Sequence, residues 1–155
     1  MKRLNAENRL KELNIQLPPA VVPVANYIPV VRVGKLLFVS GALPIDGDGL
    51  LYRGKLGREL TIENGYEAAR LAALNCLAAV RQALGTLNKV RRVVRVTGYV
   101  ASAEGFNDQP KVVNGASDLL VEIFGEAGKH ARVAIGVYEL PLGAPVEVDM
   151  ILQTV

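Results

Sequence analysis

The run from Thr61 to Leu84 constrains the fold of this chain more than any other segment. Thr61 is a good helix N-cap, because its hydroxyl can accept from backbone N–H groups that a first helical turn leaves free. From there Glu63, Asn64, Glu67, Arg70, Asn75, Arg81 and Gln82 recur at the helical period and form one polar stripe. Leu71, Leu74, Leu77, Val80 and many alanines fill the rest, and Gly85 stops the helix. So broad an apolar face must lie flat on a sheet, and the alanines permit close approach.

The sheet can be read from the flanking segments. Residues 27–33 and 35–40 are rich in Val, Leu and Phe and hinge at Gly34, which predicts two strands. Further strands are expected over 91–100, 131–139 and 145–154. Pro110 suits the start of a second long helix over 109–125, with Val112, Val113, Ala116, Leu119, Leu120, Ile123 and Phe124 on its apolar side. A short amphipathic helix over 4–13, carrying Leu4, Leu10 and Leu13, ends before Pro18-Pro19. Asp46 to Gly49, continuing to Gly57, reads as a flexible glycine-rich loop and a candidate lid. The order β-β-α-β-α-β-β predicts one α+β domain over 1–155, with 1–17 as a short N-terminal helical extension.

Both long helices follow strands, so they are expected on one face of a mixed sheet. Yet Val30, Val31, Val33 and the run Leu36 to Val39 place apolar side chains on both faces of their strands. Two helices cover only one face. The other calls for a second copy of the chain, so an oligomer is expected.

Composition excludes several function classes. The chain has 155 residues, 50% of them hydrophobic, and a net charge of +3 without a run of like charges. That is a folding sequence with little electrostatic case for nucleic acid. Lys89, Arg91, Arg92 and Arg95 cluster, but no aromatic residues interleave to stack bases, and a solvated edge is expected. The start Met1-Lys2-Arg3 is followed by polar residues, and the apolar stretch Pro18 to Val39 is broken by three further prolines, Asn26, Arg32 and Lys35. Neither a signal peptide nor a membrane span is expected, and the reading is cytoplasmic.

No cofactor or metal is expected either. Cys76 is the single cysteine and falls on the apolar side of the first long helix, so it reads as core. His130 is the single histidine, leaving no pair for zinc, and it is read as solvated. The Asp46 loop has glycine, Gly57, where a calcium loop needs its twelfth-position glutamate, and it lacks the Lys-Ser/Thr of a phosphate loop. Ser40 has no Gly-x-Ser-x-Gly elbow around it.

Two late strands carry the candidate chemistry. Arg132 precedes Val133, Ala134, Ile135, Gly136 and Val137. A guanidinium beside such a run must reach solvent or a partner, and its planar donors suit a carboxylate. Glu147 and Asp149 share one strand face, with Val146, Val148 and Met150 on the other. A carboxylate there can pair with an arginine, orient a water as general base, or simply face solvent.

Several segments together resemble the Rid/YjgF family, which also carries an L-PSP endoribonuclease label. Tyr27 before two strands, then Ser40-Gly41 and Pro44, is similar to the family's N-terminal hairpin. The long helix with Asn75, the strand Val90 to Tyr99, and Val113-Asn114 follow in family order. Most specific is His130-Ala-Arg-Val-Ala-Ile-Gly-Val-Tyr-Glu-Leu-Pro141 followed by Val146-Glu-Val148. The likeness runs from about residue 20 to the end. It implies a chorismate-mutase-like (YjgF-like) α+β fold, with two long helices on one face of the mixed sheet. It also implies a homotrimer with a barrel-like core and clefts between subunits.

The implied activity is hydrolysis of reactive 2-imino acids or their enamines to 2-keto acids and ammonia, without metal or organic cofactor. Arg132 would clamp the substrate carboxylate and Glu147 would hold or activate water, while Tyr27, Ser40, Gly41 and Asn114 would line the cleft. The alternatives are a non-catalytic trimer that binds small carboxylates and, from the older label, an endoribonuclease. The chain departs from the family pattern at His130, where proline is usual. Val133 and Ala134 replace small polar or cysteine residues, which excludes a cysteine-dependent variant there.

Overall fold

The computed structural model describes residues 5–155. Helix α1, Ala6–Glu12, is capped by the Asn5 side chain and buries Ala6 and Leu10; Leu4, assigned to this helix from sequence, lies outside the described residues. The helix is not a loose extension. Glu7 accepts from the Leu87 backbone N–H at 2.8 Å, and the Glu7 N–H donates to Asn88 at 3.0 Å.

Strands β1, Val30–Val33, and β2, Leu36–Ala42, form an antiparallel hairpin over the two-residue turn Gly34–Lys35. Gly34 has φ +59°, a left-handed conformation that glycine adopts without steric penalty. The sequence placed a strand from residue 27, but Tyr27 to Pro29 lie outside the ladder. They are nonetheless tied to it, because Ser40 N donates to Pro29 O at 2.8 Å and Ser40 Oγ donates to Ile28 O at 2.7 Å.

The glycine-rich loop expected after β2 is in part ordered. Ile45–Asp46 (β3) and Gly49–Leu50 (β4) pair as a small hairpin. Asn75 Nδ2 donates to both Leu43 O and Ile45 O, at 2.9 and 2.8 Å, and so anchors β3 to the long helix. A free lid is not what this segment forms. The reason is one buried amide whose reach no local sequence pattern reveals.

Helix α2, Ile62–Leu84, begins with a reciprocal cap in which Thr61 accepts from Asn64 N and Asn64 accepts from Thr61 N. Strand β5, Val90–Ala101, leads to helix α3, Gln109–Phe124, then β6, Ala131–Val137, and β7, Val146–Thr154. The five main strands form one mixed sheet in the order β1-β2-β7-β5-β6. β5 and β6 run parallel across α3, and β7 is antiparallel to both β2 and β5.

α2 lies on β2 and β7, and α3 on β5 and β6, so both helices share one face as expected. Leu37 and Val39 of β2, Val148, Met150 and Leu152 of β7, and Val96 and Val100 of β5 point into that core. Ala68, Ala69, Ala72 and Ala73 of α2 are fully buried, so it is backbone-close contact that the alanine side provides. The opposite face has no layer over it. Val31, Val33, Leu36, Phe38 and Ile135 remain exposed there. No described helix is long and apolar enough to cross a membrane.

Candidate functional site

Strand pairing decides which way each candidate side chain points. Arg132 is level with Val96 in the parallel pair, and Val96 is level with Met150. Paired residues share a face, so Arg132 projects to the helix side of the sheet. It is half-buried there, against α3. Arg132 Nη1 donates to Asn114 Oδ1 at 2.8 Å and to Ser117 Oγ at 3.1 Å. Asn114 and Ser117 sit three residues apart, which puts them on one side of the helix. Among the described residues, no carboxylate lies within ion-pair distance of Arg132, and its Nε and Nη2 donate to nothing.

Behind the arginine stands a second pair. Ser117 Oγ is 2.9 Å from His130 Nε2, and His130 Nδ1 is 2.6 Å from Gly128 O. Because a carbonyl can only accept, Nδ1 carries the proton and Nε2 of the neutral ring accepts from Ser117. Burial pushes the His130 pKa below its ordinary value; the bond to Gly128 opposes this, and Arg132 adds to it. The histidine expected in solvent is therefore half-buried and bonded at both nitrogens. Ser117 was not foreseen from sequence. Its spacing of three from Asn114 on the same helix was the signal available.

Glu147 occupies the other face. It is level with Tyr99, an odd number of residues from Val96, so its carboxyl projects away from the helices. It is half-buried, and its pKa is raised, first by burial and then by Asp149. Asp149 on the same face accepts from Tyr99 Oη at 2.8 Å. Gly41 borders the Glu147 carboxyl so closely that a Cβ there would overlap Oε1 and stand 3.0 Å from Cδ. The register slips between Val39 and Ala42 at this point, and the bulge brings the Ser40-Gly41 backbone against the acid.

Tyr27, Ser40 and Gly41 line one pocket of about 460 Å³ with Val39, Cys76 and Ala79. Cys76 forms part of its wall as a core residue. Its thiol donates to Val148 O at 3.3 Å, and burial pushes its pKa far up, so it is no thiolate. Among the described residues no three His, Cys, Asp or Glu side chains gather as a metal would need. Lys89 spends its amine on Leu84 O and Arg92 donates to Lys129 O, so two of the four basic-cluster side chains are tied to local carbonyls.

The six candidates thus form two groups. Arg132 and Asn114 are in contact, and Tyr27, Ser40 and Gly41 share a pocket whose rim meets Glu147. The groups do not meet within one chain. They lie on opposite faces, two strands apart across the sheet (about 10 Å) and three residues apart along it (about 10 Å). One small carboxylate cannot span that separation.

Over residues 7–152 the chain matches the family described as "YjgF/chorismate_mutase-like, putative endoribonuclease". It is 46% identical over 145 residues to Protein TCP17 of Trypanosoma cruzi, covering 93% of this chain and 91% of that one. A crystal structure of a protein of unknown function from Agrobacterium tumefaciens is 44% identical and superposes with a TM-score of 0.90, covering 97% and 92% of the two chains. One from Shewanella oneidensis, described as a "putative endoribonuclease", is 38% identical with a TM-score of 0.92, covering 96% and 99%. A more distant relative in Dermatophagoides farinae, described as 2-iminobutanoate/2-iminopropanoate deaminase, is 30% identical over 138 residues, covering 89% and 93%.

Proposed function

The chain belongs to the YjgF/chorismate-mutase-like family, and from that premise we propose that it hydrolyses 2-imino acids or their enamines to 2-keto acids and ammonia. The observation that carries this reading is the state of Arg132. Its guanidinium is fixed through Nη1 by two neutral acceptors, while Nε and Nη2 are left for a ligand. A carboxylate accepts two parallel bonds from that edge.

Glu147 supplies the proton chemistry. Its raised pKa, above the ordinary carboxylate value of 4.5, suits a group that must both take and return a proton. Water adds to the C=N carbon while Glu147 accepts one of its protons. The resulting carbinolamine expels ammonia as that proton passes to nitrogen, and a C=O bond forms. An imine carbon is already electrophilic, so positioning and one shuttle suffice. The described deaminase of Dermatophagoides farinae supports the same chemistry.

The two groups come together only between copies. The Arg132 end of β6, at the sheet's outer edge, would meet the Tyr27, Ser40, Gly41 and Glu147 group of a neighbour. The exposed apolar residues of the uncovered face are what such a contact would bury. We take the assembly to be a homotrimer with the sheets facing a central barrel.

The test is release of keto acid from an imine generated by an amino-acid oxidase. Wild-type protein should accelerate it, and Arg132→Ala should lower kcat/KM by about 100-fold or more, the loss of two charge-assisted bonds. Equal rates for the two proteins would refute the enzyme reading. Carboxylate binding by calorimetry without any turnover would instead favour a binding role at the same arginine.

A further inference from the structure

We propose that Ser117 and His130 are positioning residues that fix the Arg132 guanidinium for its ligand through a directed hydrogen-bond relay. This rests on the reading of Arg132 as a carboxylate clamp. The chain of bonds is continuous: Gly128 O accepts from His130 Nδ1 at 2.6 Å, His130 Nε2 accepts from Ser117 Oγ at 2.9 Å, and Ser117 Oγ accepts from Arg132 Nη1 at 3.1 Å.

Each link sets the direction of the next. The fixed carbonyl of Gly128 forces the tautomer with the proton on Nδ1. That leaves Nε2 as an acceptor, so the serine hydroxyl hydrogen is committed to the histidine. The serine lone pairs are then free to receive Nη1. Without the histidine, the hydroxyl hydrogen could rotate toward the guanidinium and become a donor facing a donor. Asn114 Oδ1 holds the same Nη1 from the other side at 2.8 Å. Two acceptors on one nitrogen leave Nε and Nη2, the edge that matches a carboxylate, with their direction set and no local competitor. The half-buried setting of Ser117 and His130 strengthens these bonds relative to water.

Neither residue reaches the ligand edge, so their effect should fall on binding and not on the proton steps at Glu147. The substitutions can be chosen by shape. In His130→Gln the amide oxygen stands near the place of Nε2 and can still accept from Ser117. In His130→Asn the amide reaches only the place of Nδ1, and Ser117 loses its acceptor.

The experiment uses full-length protein and 2-oxobutanoate as the carboxylate probe, with calorimetric Kd, steady-state kcat and KM, and thermal unfolding for each variant. Ser117→Ala and His130→Asn should weaken binding and raise KM about tenfold, the effect of one hydrogen bond to a charged group, with kcat within about twofold. His130→Gln should restore binding to near the wild-type value. Kd within twofold of wild type in folded Ser117→Ala and His130→Asn, with Arg132→Ala non-binding, would overturn the relay while leaving the clamp intact. Equal losses in the Gln and Asn variants would also overturn it. No saturable binding by wild type, or full binding by Arg132→Ala, would refute the clamp and the relay together.

Discussion

Gly41→Ala offers a perturbation of one methyl group whose consequence can be worked from coordinates. A Cβ at this position would overlap Glu147 Oε1, and it would stand 3.0 Å from Cδ and 3.3 Å from Cγ. Non-bonded carbons rest at about 3.5–4.0 Å, so the carboxyl must retreat by roughly 0.5–1 Å. Gly41 does not have a left-handed backbone conformation, and alanine is compatible with its φ. The atoms displaced belong to the far end of a flexible, half-buried side chain, so the fold should survive. Loss of chain entropy in the unfolded state even favours alanine by about 0.4–1 kcal/mol.

Catalysis should respond differently. A displacement of about 1 Å in a group that positions water can lower the rate about 100-fold. The assay is imine hydrolysis alongside a thermal melt. The expected result is a melting temperature within a few degrees of wild type, a kcat lowered about 10- to 100-fold, and little change in KM. Unchanged kcat in a well-folded variant would refute the placement of Glu147 against Gly41 as the catalytic acid–base. A collapse of stability would show that the glycine serves the strand rather than the site.

Three further perturbations probe other parts of the molecule. Asn75→Ala removes both bonds that tie β3 to α2 and strands the Leu43 and Ile45 carbonyls; chemical denaturation should show a loss of about 2–4 kcal/mol, and a loss below about 0.5 kcal/mol would contradict the anchoring role. His130 has a pKa lowered in the folded protein, so below its ordinary value of 6.5 the unfolded chain binds more protons than the folded one. Its contribution is present above pH 6.5 and is lost as pH falls from there toward the folded value; His130→Gln should flatten this part of the stability profile, and an unchanged slope would exclude the histidine as its source. Phe38→Glu puts a charge on the uncovered sheet face, where Phe38 is 41% exposed in the single chain. Light scattering should then report monomer where wild type is larger, and wild-type-sized particles would place the contact elsewhere.

Much of the fold is legible in the sequence because it follows from local periodicity. The polar stripe of α2, its Thr61 cap and its Gly85 stop, Pro110 in the first turn of α3, and alternation along β7 each arise within a dozen or two residues of chain. The family signature from His130 to Glu147 is linear as well, and Asn114 and Arg132, 18 residues apart, do meet as that likeness implied. Three features could not be read this way, because each depends on which residue stands opposite which. The pinning of β3 by Asn75 needs an amide to reach 30 and 32 residues back along the chain. The Ser117–His130 pair needs α3 to lie over β6 at one register.

The division of Arg132 and Glu147 onto opposite faces depends on β5 standing between β6 and β7, with odd and even positions fixed by pairing. Sequence alone thus determined the elements, the shared face of the helices and the apolar excess of the sheet, since side-chain period and burial are local properties. Tertiary structure alone decided that the arginine and the glutamate are separate halves, because a strand's facing is set by its neighbours across the sheet and not by its own residues.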